Sequence, residues 1–290
     1  LLYQTLIGTW PLNSPDDEAL AAYRERIDAY MIKALREGKE HSSWIQVNTE
    51  YEGAVSGFVR ALLAPGDKNL FLADFVPLVQ TIIHHGLLNA LGQALIKLTS
   101  PGVPDIYQGC ELWQFNLVDP DNRRPVDYAQ RSRSLAEVQA MVDAPPEQWT
   151  QRLLPLLTGI GDGRIKLYTV WQSLALRARW PEVFEIGDYL PLKVSGAQAE
   201  HVCAYARRHG ERTVITLVPL LPARLLGDRQ VLPLGSEVWT DTVLELPDGL
   251  LAGRWRNVLS GESHSPASEL AVGDLLSAFP VALLASEAAA

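Results

Sequence analysis

The sequence predicts a mixed α+β fold, with a mostly helical region at residues 1–180 and an antiparallel β domain at residues 181–290. In the first half, apolar residues recur every three or four positions, as on one face of a helix. After Trp180, short apolar runs are separated by Gly and Pro. Two of these runs flank His209-Gly210-Glu211, which is a hairpin signal.

Composition narrows the classes of function. The chain has 290 residues, of which 47% are apolar and 20% charged, so a large core can form and disorder of the whole chain is excluded. The net charge of −9 argues against nucleic-acid binding and against docking on anionic membranes. Two distant cysteines, Cys110 and Cys203, favour a reducing cytosol. No uninterrupted apolar run approaches the ~20 residues of a membrane span.

Three or four helices are predicted before residue 100. An apolar stripe follows an acidic start between Ser14 and Lys39, with Ser14 as N-cap and Gly38 as the stop. The same spacing recurs at residues 50–63, and residues 69–98 form one or two further helices packed on more than one side. Later helices are predicted at residues 128–141, 146–157 and 164–179.

A short buried strand is predicted at residues 103–107, where an apolar segment is bounded by Pro and Gly. The following aperiodic loop, ELWQFNLVDPDNRRPVD at residues 111–127, has the length of a functional loop. Strands of a sandwich or half-barrel are predicted at residues 201–208, 212–220, 237–240, 242–246, 255–259 and 281–284. The chain starts in mid-pattern at Leu1 without a basic leader, so we expect a piece of a longer protein rather than a signal peptide.

The loop holds the densest set of candidate functional residues. Its carboxylates, amides and arginines can bind adjacent sugar hydroxyls, and its aromatic side chains offer flat apolar faces. The set is Asp105, Tyr107, Gln108, Glu111, Trp113, Asp119, Asp121, Asn122, Arg123, Arg124 and Asp127. The structural alternative is a well-capped turn in which Arg123 pairs with Asp121.

Other candidates favour structural roles. His84 and His85 are adjacent on a helix and do not share a face, so helix packing is favoured over metal binding. In the HSSW motif, Ser42 or Ser43 is expected to cap the next helix, while a substrate contact by His41 or Trp44 is the lesser alternative. Lys97 is expected to be an ordinary cation at a helix C-terminus. Gly161-Asp162-Gly163 indicates a turn rather than a phosphate loop.

The segment KLTSPGVPDIYQGCELWQFNLVDPDNRRPVDY, at residues 97–128, resembles the maltooligosyltrehalose synthases of the α-amylase glycoside hydrolase superfamily. The specific core is YQG-x-E followed by LVDPDNRRPVD. Supporting similarity spans essentially the whole chain, in LLYQTLIGTWP, AYMIKALREGKEHSSWIQVNTEYE, FLADFVPL, RARWPEVFEIGDYLPL, WRNVLSGES and DLLSAFPVALL.

The resemblance implies a fold and an activity. The family has a (β/α)8 barrel with insertions and a C-terminal β domain, so residues 103–107 would be the eighth barrel strand. Its reaction converts the reducing-end α-1,4 linkage of a maltooligosaccharide into an α,α-1,1 linkage without a cofactor. Residues implied to shape the substrate pocket are Tyr107, Gln108, Glu111, Asp119, Asp121, Arg123 and Arg124.

The family's three catalytic carboxylates lie upstream, the last in a T-H-D-T-K-R-like motif, and residues 1–290 contain no such motif. We therefore expect an inactive chain that lacks the upstream part of its barrel. Without neighbouring parallel strands, residues 101–127 should be exposed, rearranged or paired with another copy. The alternatives are a non-catalytic carbohydrate-binding or scaffold module, or part of another hydrolase of the superfamily.

Overall fold

The computed structural model describes residues 1–66, 68–250 and 253–287, and these form two compact units. Unit 1 consists of Leu1–Ile83 and Gln114–Val126. Unit 2 consists of His84–Trp113 and the described residues from Asp127 onward. Within the described residues every strand begins after residue 187, whereas the two compact units divide the chain at residues 83, 113 and 126.

The helices of the described residues are α1 (Leu2–Thr9), α2 (Asp17–Gly38), α3 (Thr49–Leu62), α4 (Leu70–Thr99), α5 (Tyr128–Met141), α6 (Trp149–Arg152), α7 (Leu154–Thr158), α8 (Arg164–Arg179), α9 (Pro181–Glu185), α10 (Pro222–Leu226), α11 (Ser236–Trp239) and α12 (Val272–Leu275). The strands are β1 (Asp188–Pro191), β2 (Lys193–Ser195), β3 (Val202–His209), β4 (Arg212–Pro219), β5 (Val243–Glu245), β6 (Arg254–Asn257), β7 (Ser263–His264), β8 (Glu269–Ala271) and β9 (Ala282–Glu287).

Helix caps in unit 1 differ from the predicted ones. The carboxylate of Asp16, not Ser14, caps α2 by accepting from the amide of Ala19 at 2.8 Å. The side chain of Asn48, not Ser42 or Ser43, caps α3 by accepting from the amide of Tyr51 at 3.1 Å. In both cases the residue directly before the first helical turn has the short acceptor that an N-cap requires.

The core of unit 1 is formed by apolar side chains of α1, α2, α3 and the first part of α4. Its buried members are Leu6, Trp10, Leu20, Tyr23, Ile27, Met31, Val59, Leu63, Phe75 and Val79. Partly buried Leu117 packs against them, so the 114–126 segment is anchored on this core.

Helix α4 is one continuous helix that contains Pro77. An 18-residue window in it has a mean hydropathy of 1.3 and is 22% buried, so by length and composition alone it is sufficient to cross a bilayer. The sequence of α4 has no uninterrupted apolar run of that length, because polar residues interrupt it, but these residues lower the window average only slightly. One such helix is weak evidence for a membrane span, since core helices of soluble proteins pass the same test.

The strand predicted at residues 103–107 is not formed. Residues 103–107 have no regular secondary structure, and Val103 is 96% exposed. A parallel barrel strand needs hydrogen-bonding neighbours on both edges, and the described strands pair only with one another, all antiparallel.

Unit 2 contains two antiparallel sheets. The larger has the strand order β1-β3-β4-β9-β6-β7, and the smaller has the order β2-β5-β8. The predicted hairpin is confirmed as β3–β4, with His209 paired to Arg212 and Gly210 at φ +60° in the turn. Positive φ favours glycine, which explains its place in this turn.

The larger sheet is covered on both faces. One face shares a core with the smaller sheet, in which Ile215 and Leu284 meet Leu244 and Leu270. The other face packs on helices, where Val214 and Leu283 meet Leu91 of α4 and Tyr168 of α8. Unit 2 is therefore layered as helices, large sheet and small sheet, which agrees with the mixed α+β prediction.

Two local predictions were wrong. The strand predicted at residues 237–240 is instead the short helix α11, in which buried Trp239 donates its indole N–H to the carbonyl of Pro233 at 2.9 Å. The helix predicted at residues 146–157 is divided into a 3-10 turn, α6 and α7. Pro155 has no amide hydrogen to donate to the carbonyl of Gln151, four residues earlier, which accounts for the break between α6 and α7 at Leu153.

Candidate functional site

The seven predicted pocket residues are divided between the two units. Tyr107, Gln108 and Glu111 belong to unit 2. The other four, Asp119, Asp121, Arg123 and Arg124, belong to unit 1. Each group has its own set of supporting contacts.

In unit 2, Tyr107 begins a tight turn in which the amide of Cys110 donates to its carbonyl at 3.1 Å. Gly109 adopts φ +85°, a conformation that favours glycine. Arg131 of α5 fixes the turn from outside: its Nε donates to Glu111 Oε2 at 3.1 Å and its Nη2 donates to the carbonyl of Gly109. Glu111 therefore serves to hold the turn.

The residues that follow this turn are also held by unit 2. The indole N–H of Trp113 donates to the carbonyl of Ile160 at 2.6 Å, and the Nζ of Lys166 lies 5.4 Å from the centre of the Trp113 ring. Lys166 also donates to the carbonyl of Leu112 at 3.3 Å. Burial lowers the pKa of Lys166, and the nearby Lys97 charge acts in the same direction.

Two arginines hold the C-terminus of α4, from which the candidate segment leaves. Arg177 of α8 donates to the carbonyl of Leu98 at 2.8 Å, and Arg207 of β3 donates to the carbonyl of Thr99 at 3.3 Å. Arg207 is buried and also donates to the carbonyls of Phe184 and Gly187. Cations at this end of a helix are favoured by the helix dipole.

In unit 1, Asp121 is the centre of the loop. Arg26 of α2 binds it at two points, with Nε–Oδ1 and Nη2–Oδ2 distances of 2.9 Å, and also donates to the carbonyl of Phe115 at 3.0 Å. The backbone amide of Leu117 donates to the same carboxylate at 2.8 Å, and Arg124 Nε lies 3.1 Å from Oδ1. These contacts make Asp121 an anchor of the loop.

Two opposing influences set the pKa of Asp121. Burial alone raises it, but the hydrogen bonds from Arg26 and from the Leu117 amide, with the charges of Arg26 and Arg124, outweigh burial and lower the pKa. Asp121 is therefore a carboxylate at neutral pH, which does not suit a proton donor.

Asp119 and Arg123 form the exposed part of this loop. Arg123 Nε contacts Asp119 Oδ1 in a pair whose side chains are 73% and 46% exposed. Lys33 of α2 donates to the carbonyl of Asp119 and lies 3.9 Å from its carboxylate. Arg123 thus pairs with Asp119 and not, as the capped-turn alternative predicted, with Asp121. The arginine of this loop that contacts Asp121 is Arg124.

The accessible groups differ from the carboxylates that anchor the loop. Tyr107 is 47% exposed, and Gln108 and Arg123 are also exposed, so their polar ends are open to a ligand. Glu111 and Asp121 are instead engaged by arginines. In unit 2 the fixed turn carries an exposed aromatic and an exposed amide group, and in unit 1 the anchored loop carries an exposed guanidinium. Each of these groups is suited to hydroxyl-rich ligands.

No protein-family model matches the chain. A Mycobacterium tuberculosis protein provisionally named maltooligosyl trehalose synthase is 34% identical over 272 residues, which are 93% of this chain and 29% of that protein. The structure of maltooligosyltrehalose synthase from Arthrobacter ramosus is 31% identical, with a TM-score of 0.74, over 99% of this chain and 32% of that one. The chain is homologous to maltooligosyltrehalose synthase.

A structure of a hypothetical maltooligosyl trehalose synthase from Sulfolobus tokodaii is similar at 27% identity and a TM-score of 0.62. It matches 98% of this chain and 31% of its own length. The chain spans about 29% of the length of the curated synthase relatives that it matches.

Several residues that organise this part of the maltooligosyltrehalose synthase homologue were not predicted from its sequence. Arg26 and Lys33 lie seven positions apart on α2, and both contact the 114–126 segment. Their spacing of seven, which places them on one helical face beside the apolar stripe, was the available signal. No sequence pattern indicated the role of Arg131, since its partners lie 20 and 22 residues earlier in a loop without periodicity.

The histidines and cysteines of this synthase homologue are consistent with structural roles. His84 Nε2 lies 2.9 Å from the carbonyl of Val231, while His85 is buried and its pKa is lowered by burial and by the neighbouring His84. Among the described residues, no group of His, Cys, Asp and Glu has metal-binding geometry. Cys110 and Cys203 are both free thiols.

Proposed function

We propose that this chain is the C-terminal portion of a maltooligosyltrehalose synthase. The complete enzyme would convert the reducing-end α-1,4 linkage of a maltooligosaccharide into the α,α-1,1 linkage of trehalose by intramolecular transglucosylation. The observation that carries the proposal is homology that runs through 93% of this chain but only 29% of a synthase-length relative. Maltooligosaccharide is the proposed substrate, and the upstream part of the barrel is the proposed partner.

In the longer protein, residues 103–107 would be the eighth barrel strand and the residues after it part of the pocket. The absence of strand pairing at residues 103–107 and the exposure of Val103 support this assignment, because a segment without partners among the described strands is available to neighbouring strands. Loops at the C-terminal ends of barrel strands form the active sites of such folds.

The loop would contribute binding rather than bond cleavage. A glucosyl-enzyme intermediate must be captured by the released glucose and not by water, so that glucose has to be held and water excluded. Exposed Tyr107, Gln108 and Arg123 are available for contacts with sugar. Glu111 and Asp121 would hold these groups in place through their arginine partners.

The chain alone should be inactive. Retaining glycosidase chemistry needs two carboxyl groups about 5–5.5 Å apart, one as nucleophile and one as acid/base. The upstream motifs that carry these groups in the family are absent from residues 1–290. Within the loop, Glu111 is paired with Arg131 and Asp121 with Arg26, which favours a structural role for both carboxylates.

A second candidate is a non-catalytic oligosaccharide-binding module. For the 290-residue chain alone, this module is favoured because Glu111 and Asp121 are bound by arginines while Tyr107 and Arg123 are exposed. Another hydrolase of the superfamily is disfavoured by the LVDPDNRRPVD and HSSW motifs. With a net charge of −9 and two free cysteines, neither nucleic acid nor a membrane is proposed as a partner, and a cytosolic location is proposed.

The test uses maltopentaose and an assay for reducing ends. The purified chain should cause no loss of reducing ends. The longer polypeptide to which the proposal assigns it should remove reducing ends and yield a trehalose-capped product. Release of glucose without that product would indicate a hydrolase. A trehalose-capped product from the 290-residue chain alone would contradict the assignment of the catalytic carboxylates to upstream sequence.

A further inference from the structure

The segment between α2 and α3 forms a second candidate site in unit 1, separate from residues 107–124. It surrounds an open cleft of about 440 Å³. The lining side chains include hydroxyl, amide and imidazole groups and one charge of each sign, from Lys39, Glu40, His41, Ser43, Gln46 and Asn48. The volume lies within the roughly 300–1,000 Å³ range of small-molecule sites.

A partly buried ion pair holds this segment. Arg36 of α2 donates from Nε and Nη2 to the two carboxylate oxygens of Glu52 in α3, at 2.8 and 2.7 Å. The hydroxyl of Ser42 donates to Glu52 Oε1 and accepts from the amide of Asn48 at 3.0 Å. Ser42 and Glu52 are both buried. Through this contact Ser42, which lines the cleft, is held by the ion pair between α2 and α3.

A turn at the tip of the segment exposes a tryptophan. The amide of Ser43 donates to the carbonyl of Gln46, and the amide of Gln46 donates to the Ser43 hydroxyl, both at 2.9 Å. Trp44 lies within this turn and is 57% exposed, while the Arg36 guanidinium lies 4.9 Å from the centre of its ring. Large exposed aromatic side chains on a fixed frame mark interaction sites.

The chemistry of the cleft indicates a neutral ligand. Lys39 and Glu40 balance in charge, so the lining does not select an anion or a cation. His41, Ser43, Gln46 and Asn48 can each donate or accept hydrogen bonds, as adjacent hydroxyl groups require. The flat indole of Trp44 suits the apolar face of a pyranose ring. Val47 is the one aliphatic residue among those that line the cleft, whereas a protein partner would be favoured by a lining with more apolar groups.

We propose that Trp44 and the cleft formed by residues 39–49 bind a neutral linear oligosaccharide. The indole stacks on one sugar ring, and the polar side chains of the cleft bind the hydroxyl groups of the next. The site does not depend on the sugar-binding role proposed for Tyr107, Gln108 and Arg123.

The test is calorimetric titration of the 290-residue chain with maltoheptaose. Trp44→Ala should raise the Kd about tenfold, while Trp44→Tyr, which keeps a flat ring, should stay near the wild-type value. Gln46→Ala should weaken binding without removing the stacking contact. Because Trp44 is exposed, these variants should retain the wild-type unfolding temperature.

Three outcomes would overturn the proposal. One is absence of maltoheptaose binding by the wild-type chain. The second is an unchanged Kd in Trp44→Ala together with loss of binding in Arg123→Ala, which would assign the sugar to the 107–124 loop and support the proposed function alone. The third is unchanged sugar binding with loss of self-association in Trp44→Ala, measured by sedimentation, which would identify a contact between copies. Weakened binding in Trp44→Ala but not in Arg123→Ala would support the second site, whatever residues 107–124 do in the longer enzyme.

Discussion

Arg26 and Asp121 form a two-point ion pair over a separation of 95 residues in the sequence, with both N–O distances at 2.9 Å. The pair joins α2 to a loop that has little regular structure of its own. Because Arg26 also donates to the carbonyl of Phe115, one side chain holds both the start and the middle of the 114–126 segment. The shape of the loop thus depends on a residue outside it.

Arg26→Ala should destabilise unit 1 by about 2 kcal/mol, because it removes charge-assisted hydrogen bonds from a largely buried carboxylate. Urea unfolding measures the loss, and hydrogen exchange at the Leu117 amide reports the loop. The matched control is Arg60→Ala, which removes a longer contact of 3.5 Å to Asp28 from an exposed side chain and should cost less than ~1 kcal/mol. Equal losses in the two variants would contradict the anchoring role.

Glu52 should make the stability of unit 1 depend on pH below 4.5. Hydrogen bonds from Arg36 and then Ser42 lower its pKa from 4.5 to about 2. A depressed carboxyl pKa means that the unfolded chain takes up its proton first. The stability contributed by Glu52 is therefore complete above about pH 4.5 and is lost as the pH falls toward 2.

Urea unfolding of wild type and Glu52→Gln between pH 6 and pH 2.5 tests this dependence. The variant should be less stable at pH 6, and the difference should shrink as the pH falls. Glu50→Gln, at an exposed position in the same helix, is the control and should show no such convergence. A difference that is constant with pH would exclude Glu52 as the group responsible.

Arg131→Ala should loosen the turn at residues 107–111. The substitution removes hydrogen bonds to the Glu111 carboxylate and the Gly109 carbonyl. We expect hydrogen exchange in this segment to accelerate about tenfold, corresponding to ~1.4 kcal/mol of local stability. Arg133→Ala, at an exposed position of the same helix, should leave exchange unchanged. Equal protection in the two variants would show that Arg131 does not hold the turn.

Arg123→Ala should alter product partition in the longer enzyme to which the chain is assigned. The exposed guanidinium can bind sugar hydroxyls, and loss of one charge-assisted hydrogen bond corresponds to about a tenfold change. We expect the ratio of glucose to trehalose-capped product to rise about tenfold, or turnover to be lost. Product chromatography after incubation with maltopentaose measures the ratio. Unchanged rate and partition would remove Arg123 from the pocket.

Local patterns predicted much of the helical part of the fold. The helices at residues 128–141 and 164–179 begin and end where the sequence predicted, and the β3–β4 hairpin follows from Gly210 between two apolar runs. These elements are determined by neighbours in the sequence. The strand predicted at residues 103–107 has the right composition but lacks partner strands, which the sequence of the segment itself does not reveal.

Roles within the loop were harder to predict than its composition. Asp121 and Arg123 both have the residue types of a sugar site, yet Asp121 is engaged by Arg26 whereas Arg123 is exposed. The difference arises from side chains of α2, more than 80 residues earlier in the chain. Periodicity identifies the buried face of α2, but not which loop its polar residues will meet.

The interleaving of the two units has a consequence for recombination. The first unit takes its main part from residues 1–83 and returns at residues 114–126, so that the second unit is also made of two stretches. A single crossover between related genes at residue 83 would separate the codon for Arg26 from that for Asp121. To exchange either unit intact between homologues, two further crossovers are needed together with the one at residue 83, at residues 113 and 126. Selection should favour inheritance of this region as one block.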